Sequence, residues 1–143
     1  MIVAGIDPGV ETGWAEWDTD AKQLVAVRTL KLHTAWVRVL ELQAGGQLSH
    51  VVFEDARMRT WFGNTGREKL QGAGSVKRDC KAWADFLTDN VIPYRAVSPQ
   101  SKGAKLDAGP FARLTGWQAI TSNHGRDAAM LVFQARALKV QPA

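Results

Sequence analysis

The chain has 143 residues, 45% of them hydrophobic and 22% charged, which fits one globular domain with its own core, read as a single unit over residues 1–143. Lys and Arg number 18 against 14 Asp and Glu, a formal charge of +4 that favours a polyanionic partner such as nucleic acid. The single cysteine, Cys80, excludes an internal disulfide framework and a Cys-based zinc site, and with neither a basic leader nor an apolar run near the ~18 residues of a membrane span the expectation is a cytoplasmic protein without membrane contact.

Residues 2 to 7 (IVAGID) read as a short buried strand that ends in a carboxylate, Asp7. Pro8-Gly9-Val10-Glu11 turns the chain into a second run, Thr12 to Trp17. A third strand, Gln23 to Leu30, follows the polar turn Asp18 to Lys22, so the first three strands form an antiparallel meander. Thr34 is placed to cap a helix running to about Ala44, with Val37, Leu40 and Ala44 on one face, and Gly45-Gly46 stops it. His50 to Phe53 is strand-like and again ends in acid, Glu54-Asp55.

Residues 57 to 66 show no period and read as a loop carrying Arg57, Arg59, Trp61 and Phe62. A helical period returns from Arg67 to Asn90 through Leu70, Ala73, Val76, Cys80, Trp83 and Leu87. Gly72 and Gly74 inside it cost about 1 kcal/mol each relative to Ala, which fits either close approach of another helix or chain or local fraying. Pro93 ends this helix and Tyr94 to Val97 makes a further strand. A polar loop, Ser98 to Gly103, leads to a short helix from Ala104 or Lys105 to Leu114, with Pro110 as a candidate kink. The last helix runs from Asn123 to about Lys139. Of the six Trp, Trp14, Trp17, Trp36 and Trp61 fall where either a core or an exposed ring fits. The order β-β-β-α-β-α-β-α-α predicts an α/β fold: a mixed five-stranded sheet, meander on one side and parallel strands added through helical crossovers, flanked by helices.

Three acids stand where acids are unexpected. Asp7 ends the first strand, Glu54 the fourth, and Asp127 lies near the start of the last helix in NHGRDAAMLVFQARAL. If the first and fourth strands are parallel neighbours, Asp7 and Glu54 emerge at one edge, and the last helix can bring Asp127 there. Clustered carboxylates repel unless a cation is present. Such hard oxygen donors suit Mg²⁺ or Mn²⁺, and two ions about 4 Å apart can activate a water and stabilise a leaving oxygen in phosphodiester hydrolysis. His124 precedes Asp127 by three residues on the same helix face, where it can ligate or transfer a proton.

Gly5-Ile6-Asp7-Pro8-Gly9 followed by Thr12-Gly13-Trp14, then Phe53-Glu54, then His124-Gly125-Arg126-Asp127-Ala128-Ala129, resembles the RuvC family of Holliday-junction resolvases, within the ribonuclease H-like superfamily. The resemblance spans nearly the whole chain in order and is closest to the compact bacteriophage members. It implies a ribonuclease H-like sheet and a homodimeric, Mg²⁺-dependent endonuclease that nicks opposed strands of a four-way junction with two ions per active site. By that resemblance Asp7 would coordinate both ions, Glu54 would support one, Asp127 would close the site, and His124 would stand where relatives carry Asp or His. Strand alternation lets only one of Glu54 and Asp55 face the metals; the resemblance selects Glu54. Rival readings are another ribonuclease H-like nuclease, acting on RNA–DNA hybrids or of pre-resolvase type, and a non-catalytic branched-DNA-binding protein.

Holding DNA needs basic groups near the cleft to neutralise phosphates. Arg57 and Arg59 supply them in the loop after Glu54. Lys102 and Lys105 lie in the loop after the Val97 strand, where the family carries DNA-contacting lysines. Trp61 and Phe62 accompany the arginines, and one of the two is expected to be exposed and to stack on an unpaired base. The two-fold symmetry of a four-way junction asks for a two-fold dimer, with the Gly-bearing helix from Arg67 to Asn90 as its interface.

Overall fold

A computed structural model describes residues 1–59, 67–102 and 105–136. Five strands form one sheet in the order β3-β2-β1-β4-β5: β1 (Ile2–Asp7), β2 (Glu11–Asp18), β3 (Gln23–Lys31), β4 (Leu48–Glu54) and β5 (Tyr94–Val97). The meander β1-β2-β3 is antiparallel, whereas β4 pairs parallel with β1, and β5 parallel with β4. The mixed α/β sheet is therefore the one the element order predicts.

Each parallel step requires a crossover, and both crossovers are helical. Helix α1 (Leu32–Ala44) links β3 to β4, and α2 (Arg67–Asp89) precedes β5. Both cover one face of the sheet, where Ala4, Ile6, Trp14, Val51 and Phe53 pack with Ala35, Val39, Leu42, Cys80, Trp83 and Leu87. Helices α3 (Ala108–Thr115) and α4 (Asn123–Val132) belong to the other face, where Phe111, Ala128, Leu131 and Val132 join Val3, Ala15, Trp17 and Val52. Alternation along β1 and β4 thus sends odd residues of β1 and even residues of β4 toward α4.

Several boundaries differ from those expected. Helix α1 begins at Leu32, capped by Lys31, because β3 runs directly into it; Thr34 lies inside the first turn. That entry fixes the inward stripe as Ala35, Val39 and Leu42, so Val37 and Leu40 face solvent at 52% and 38% exposure. Helix α3 starts at Ala108, and Pro110 in its first turn introduces no break because its missing N–H falls where no intrahelical bond is due. Helix α4 ends at Val132 and passes into a 3-10 turn, Phe133–Ala135, in which Gln134 takes a left-handed φ of 59°. Trp14 and Trp17 are core residues, Trp36 is half-buried against Phe86 and Trp83, and Trp61 lies outside the described residues. At Gly74 nothing among the described residues beyond its own helix backbone lies within 4 Å of where a Cβ would sit, so no neighbouring helix among the described residues explains that glycine.

Candidate active site

The parallel β1–β4 pair is in register at Ile6 and Phe53, so one step further Asp7 and Glu54 leave the sheet side by side. Both are on the α4 side. Asp55, one residue on, points the opposite way and is buried at 4% exposure. There it accepts from Arg57 Nε at 2.9 Å and from Arg57 Nη2 at 2.8 Å, and the same carboxylate caps the 3-10 turn Ala56–Met58 through Arg57 N–H. The guanidinium's hydrogen bonding to Asp55 is also what raises the Arg57 pKa above its ordinary value. Arg57, expected to meet phosphate, is therefore tied to Asp55.

Cys80 of α2 lies beneath the same corner. Its sulfur accepts from Ala56 N–H at 3.4 Å and donates to the Glu54 carbonyl at 3.5 Å. Burial pushes this thiol up to about 11, so it stays protonated and able to donate at neutral pH. The backbone that carries Glu54 is thus tethered from below.

Helix α4 reaches the site by direct contact with the sheet. A side chain at Gly5 would collide with the Ala128 carbonyl, and one at Gly13 with the His124 carbonyl and, at 2.9 Å, with Asp7 Cβ. Two glycines on adjacent strands thereby bring the helix backbone onto the sheet. Ser122 caps the helix by accepting from Gly125 N–H at 3.0 Å and also bonds Thr29 of β3. His124 then sits with Nδ1 3.3 Å from Asp7 Oδ2, and Asp127, one turn in, is only 6% exposed.

Asp7, Glu54, His124 and Asp127 line one open pocket of about 440 Å³, together with Pro8, Arg59, Val76, Pro99 and Lys105. Lys105 Nζ is 3.3 Å from Asp127 Oδ2, with its side chain 75% exposed. Two cation-capable groups, His124 and Lys105, therefore stand against two of the carboxylates. Among the described residues no three His, Cys, Asp or Glu side chains converge closely enough to ligate one ion as they stand. The donor chemistry nevertheless fits a hard divalent cation: three carboxylates and an imidazole share a pocket.

Of the remaining DNA-contact candidates, Arg59 lines the pocket, and Lys102 closes the 3-10 turn Pro99–Lys102 that follows β5. Trp61 and Phe62 lie outside the described residues. Arg126, passed over in the sequence, is only 7% exposed and hydrogen-bonds Leu106, Thr121 and Asn123 beside the site. The signal was available: an Arg two residues before the apolar run Ala128 to Val132, on a helix that packs against the sheet, where a charge must find acceptors.

No protein-family model matches the chain, and no curated protein matches it. Among solved structures, T. thermophilus RuvC in complex with a Holliday junction substrate aligns over 100% of this chain and 100% of its own, with 20% identity and a TM-score of 0.64. The fold is that of RuvC. The RuvC-like likeness covers both sheet faces and the terminal helix, the elements that carry the four pocket residues.

Proposed function

We propose that the chain is a divalent-metal-dependent endonuclease for branched DNA, four-way junctions foremost, working as a homodimer. One observation carries the reading: Asp7, Glu54, His124 and Asp127, drawn from three distant stretches, line a single pocket at the end of the parallel strand pair. The RuvC fold and the net positive charge support it.

Asp7, Glu54, Asp127 and His124 would hold the metal. Mg²⁺ or Mn²⁺, two ions to a site, would supply activation of the attacking water and stabilisation of the leaving oxygen when bound. Asp7 orients the His124 ring through Nδ1, which leaves Nε2 as the nitrogen that would ligate. Lys105 is exposed and joined to Asp127 by a single contact, so it can turn to a phosphate at little cost. Arg59, in the same pocket, adds a second phosphate contact. Lys102 and one of Trp61 and Phe62 complete the proposed DNA surface. Two such sites related by a two-fold axis would address the two opposed strands of a junction.

The test is incubation of the purified protein with strand-labelled four-way junctions, flaps and RNA–DNA hybrids, with and without Mg²⁺. The expected result is paired, metal-dependent nicks in the four-way junction. Asp7→Asn should still bind the junction and lose cleavage by about 10³-fold or more. Cutting by that variant at the wild-type rate would remove the site from the reaction.

A further inference from the structure

Arg126 is a buried cation, and its acceptors are all neutral. Nε donates to the Leu106 carbonyl at 2.9 Å. Nη1 donates to the Thr121 carbonyl at 3.0 Å and to Thr121 Oγ1 at 2.8 Å. Nη2 bonds Asn123 Oδ1. Burying a charge is unfavourable unless its hydrogen-bonding groups are satisfied, and here one planar guanidinium satisfies them on two stretches, Leu106 and the Thr121–Asn123 entry to its own helix.

Both stretches lead into residues of the pocket. Leu106 follows Lys105, Asn123 precedes His124, and Arg126 itself precedes Asp127. The Lys105 side chain is 75% exposed and its contact with Asp127 is single, so the ion pair alone cannot hold its loop in place. The Leu106 carbonyl, fixed from within by Arg126, can.

We propose that Arg126 is a positioning residue that locks the Lys105–Leu106 segment to α4 and so sets the Lys105 ammonium against Asp127. Its relevance to DNA cleavage rests on the nuclease reading above; the positioning itself does not. Only an arginine offers donors diverging from three nitrogens in a rigid plane. A lysine at this place presents a single ammonium and cannot span the acceptors on Leu106, Thr121 and Asn123 together.

Zero-length carbodiimide coupling joins an amine to a carboxylate only where the two meet, and peptide mass spectrometry reads the yield. The wild-type protein should give a Lys105–Asp127 cross-link. In Arg126→Gln that yield should fall about tenfold, and Arg126→Lys should not restore it. The Lys81–Asp85 pair on α2, 2.6 Å apart, is the internal standard for a folded chain; coupling there should be unchanged. An unchanged Lys105–Asp127 yield in Arg126→Gln, or none in the wild type, overturns the proposal.

Junction cleavage supplies the second arm. Arg126→Gln and Lys105→Ala should each lower kcat about tenfold, and the double variant should fall no further, because both act through one ammonium. Losses that multiply would mean that Arg126 acts on stability alone and would overturn the link to Lys105. If the wild type cuts no DNA, the nuclease reading fails while the cross-linking result still decides the positioning.

Discussion

At position 13 a methyl group has nowhere to go. The His124 carbonyl and Asp7 Cβ already occupy the space that it would fill, and neither belongs to a flexible side-chain end. Gly13→Ala should therefore destabilise the protein by about 3 kcal/mol, measured by urea unfolding. Because relief requires α4 to lift from β2, the same variant should lose junction cleavage under conditions in which it remains folded. An equivalent substitution at Gly74, where a Cβ meets nothing among the described residues, is the contrast. The residues proposed for the chemistry and those that permit it are thus different: Asp7 and His124 meet because Gly13 lies between their backbones. A buried acid off the site follows the same logic. Glu16, 4% exposed, accepts from Arg38 Nε at 2.7 Å and from Trp14 Nε1 at 3.0 Å on the face opposite α4, so its charge is absorbed by the scaffold.

Among the elements, helix endings show how local rules and tertiary demands combine. Helix α1 closes with Gly46 at φ 68°, while Gly46 N–H reaches Gln43 O and Gln47 N–H reaches Leu42 O. Helix α2 uses the same pattern, Val91 N–H to Thr88 O and Ile92 N–H to Leu87 O, but places a β-branched residue at φ 56°. Val91 is 64% exposed, so its side chain contributes little packing. Val91→Gly should raise stability by about 1 kcal/mol, seen as a higher urea midpoint with an unchanged slope. The strands were legible in the sequence because alternation and turn residues are local signals. The parallel β1–β4 pairing stood only as a condition for gathering the two strand-end acids, and the structure meets it. The inward face of α1 was not legible, because Val37-Leu40-Ala44 and Ala35-Val39-Leu42 have equal claims by period, and the strand-to-helix junction decides between them. Nor was the early end of α4, where the apolar pattern continues but Gln134 leaves helical geometry. The side of Glu54 follows from strand alternation once Val52 is known to face α4, whereas the fork of Arg126 depends on loop carbonyls that no pattern specifies.

For the whole molecule, the acids gathered in the pocket make the folded state the form that a divalent cation should favour. A ligand that binds only the native protein raises its stability by mass action. At 100 times its dissociation constant, one Mn²⁺ should add about 2.7 kcal/mol, which for a chain of this size raises Tm by roughly 5–10 °C. Scanning calorimetry or dye-based melting reads the shift directly, and Asp7→Asn should abolish most of it. A melting curve indifferent to Mn²⁺ would leave the acids without their proposed partner. Ala35, Val39 and Leu42, which α1 presses against the other sheet face, do not line the pocket, so destabilising them should lower Tm without altering the metal-dependent increment.

Helix α4 carries its share of the pocket onto strands made long before it, with 117 positions separating His124 from Asp7. During synthesis the sheet can begin to assemble as the nascent chain leaves the ribosome, yet the acidic pocket stays incomplete until α4 has emerged. A truncated or stalled product would present Asp7 and Glu54 without Asp127 and His124. On the proposed reading, an unfinished copy would hence lack two of the four groups that cleavage needs.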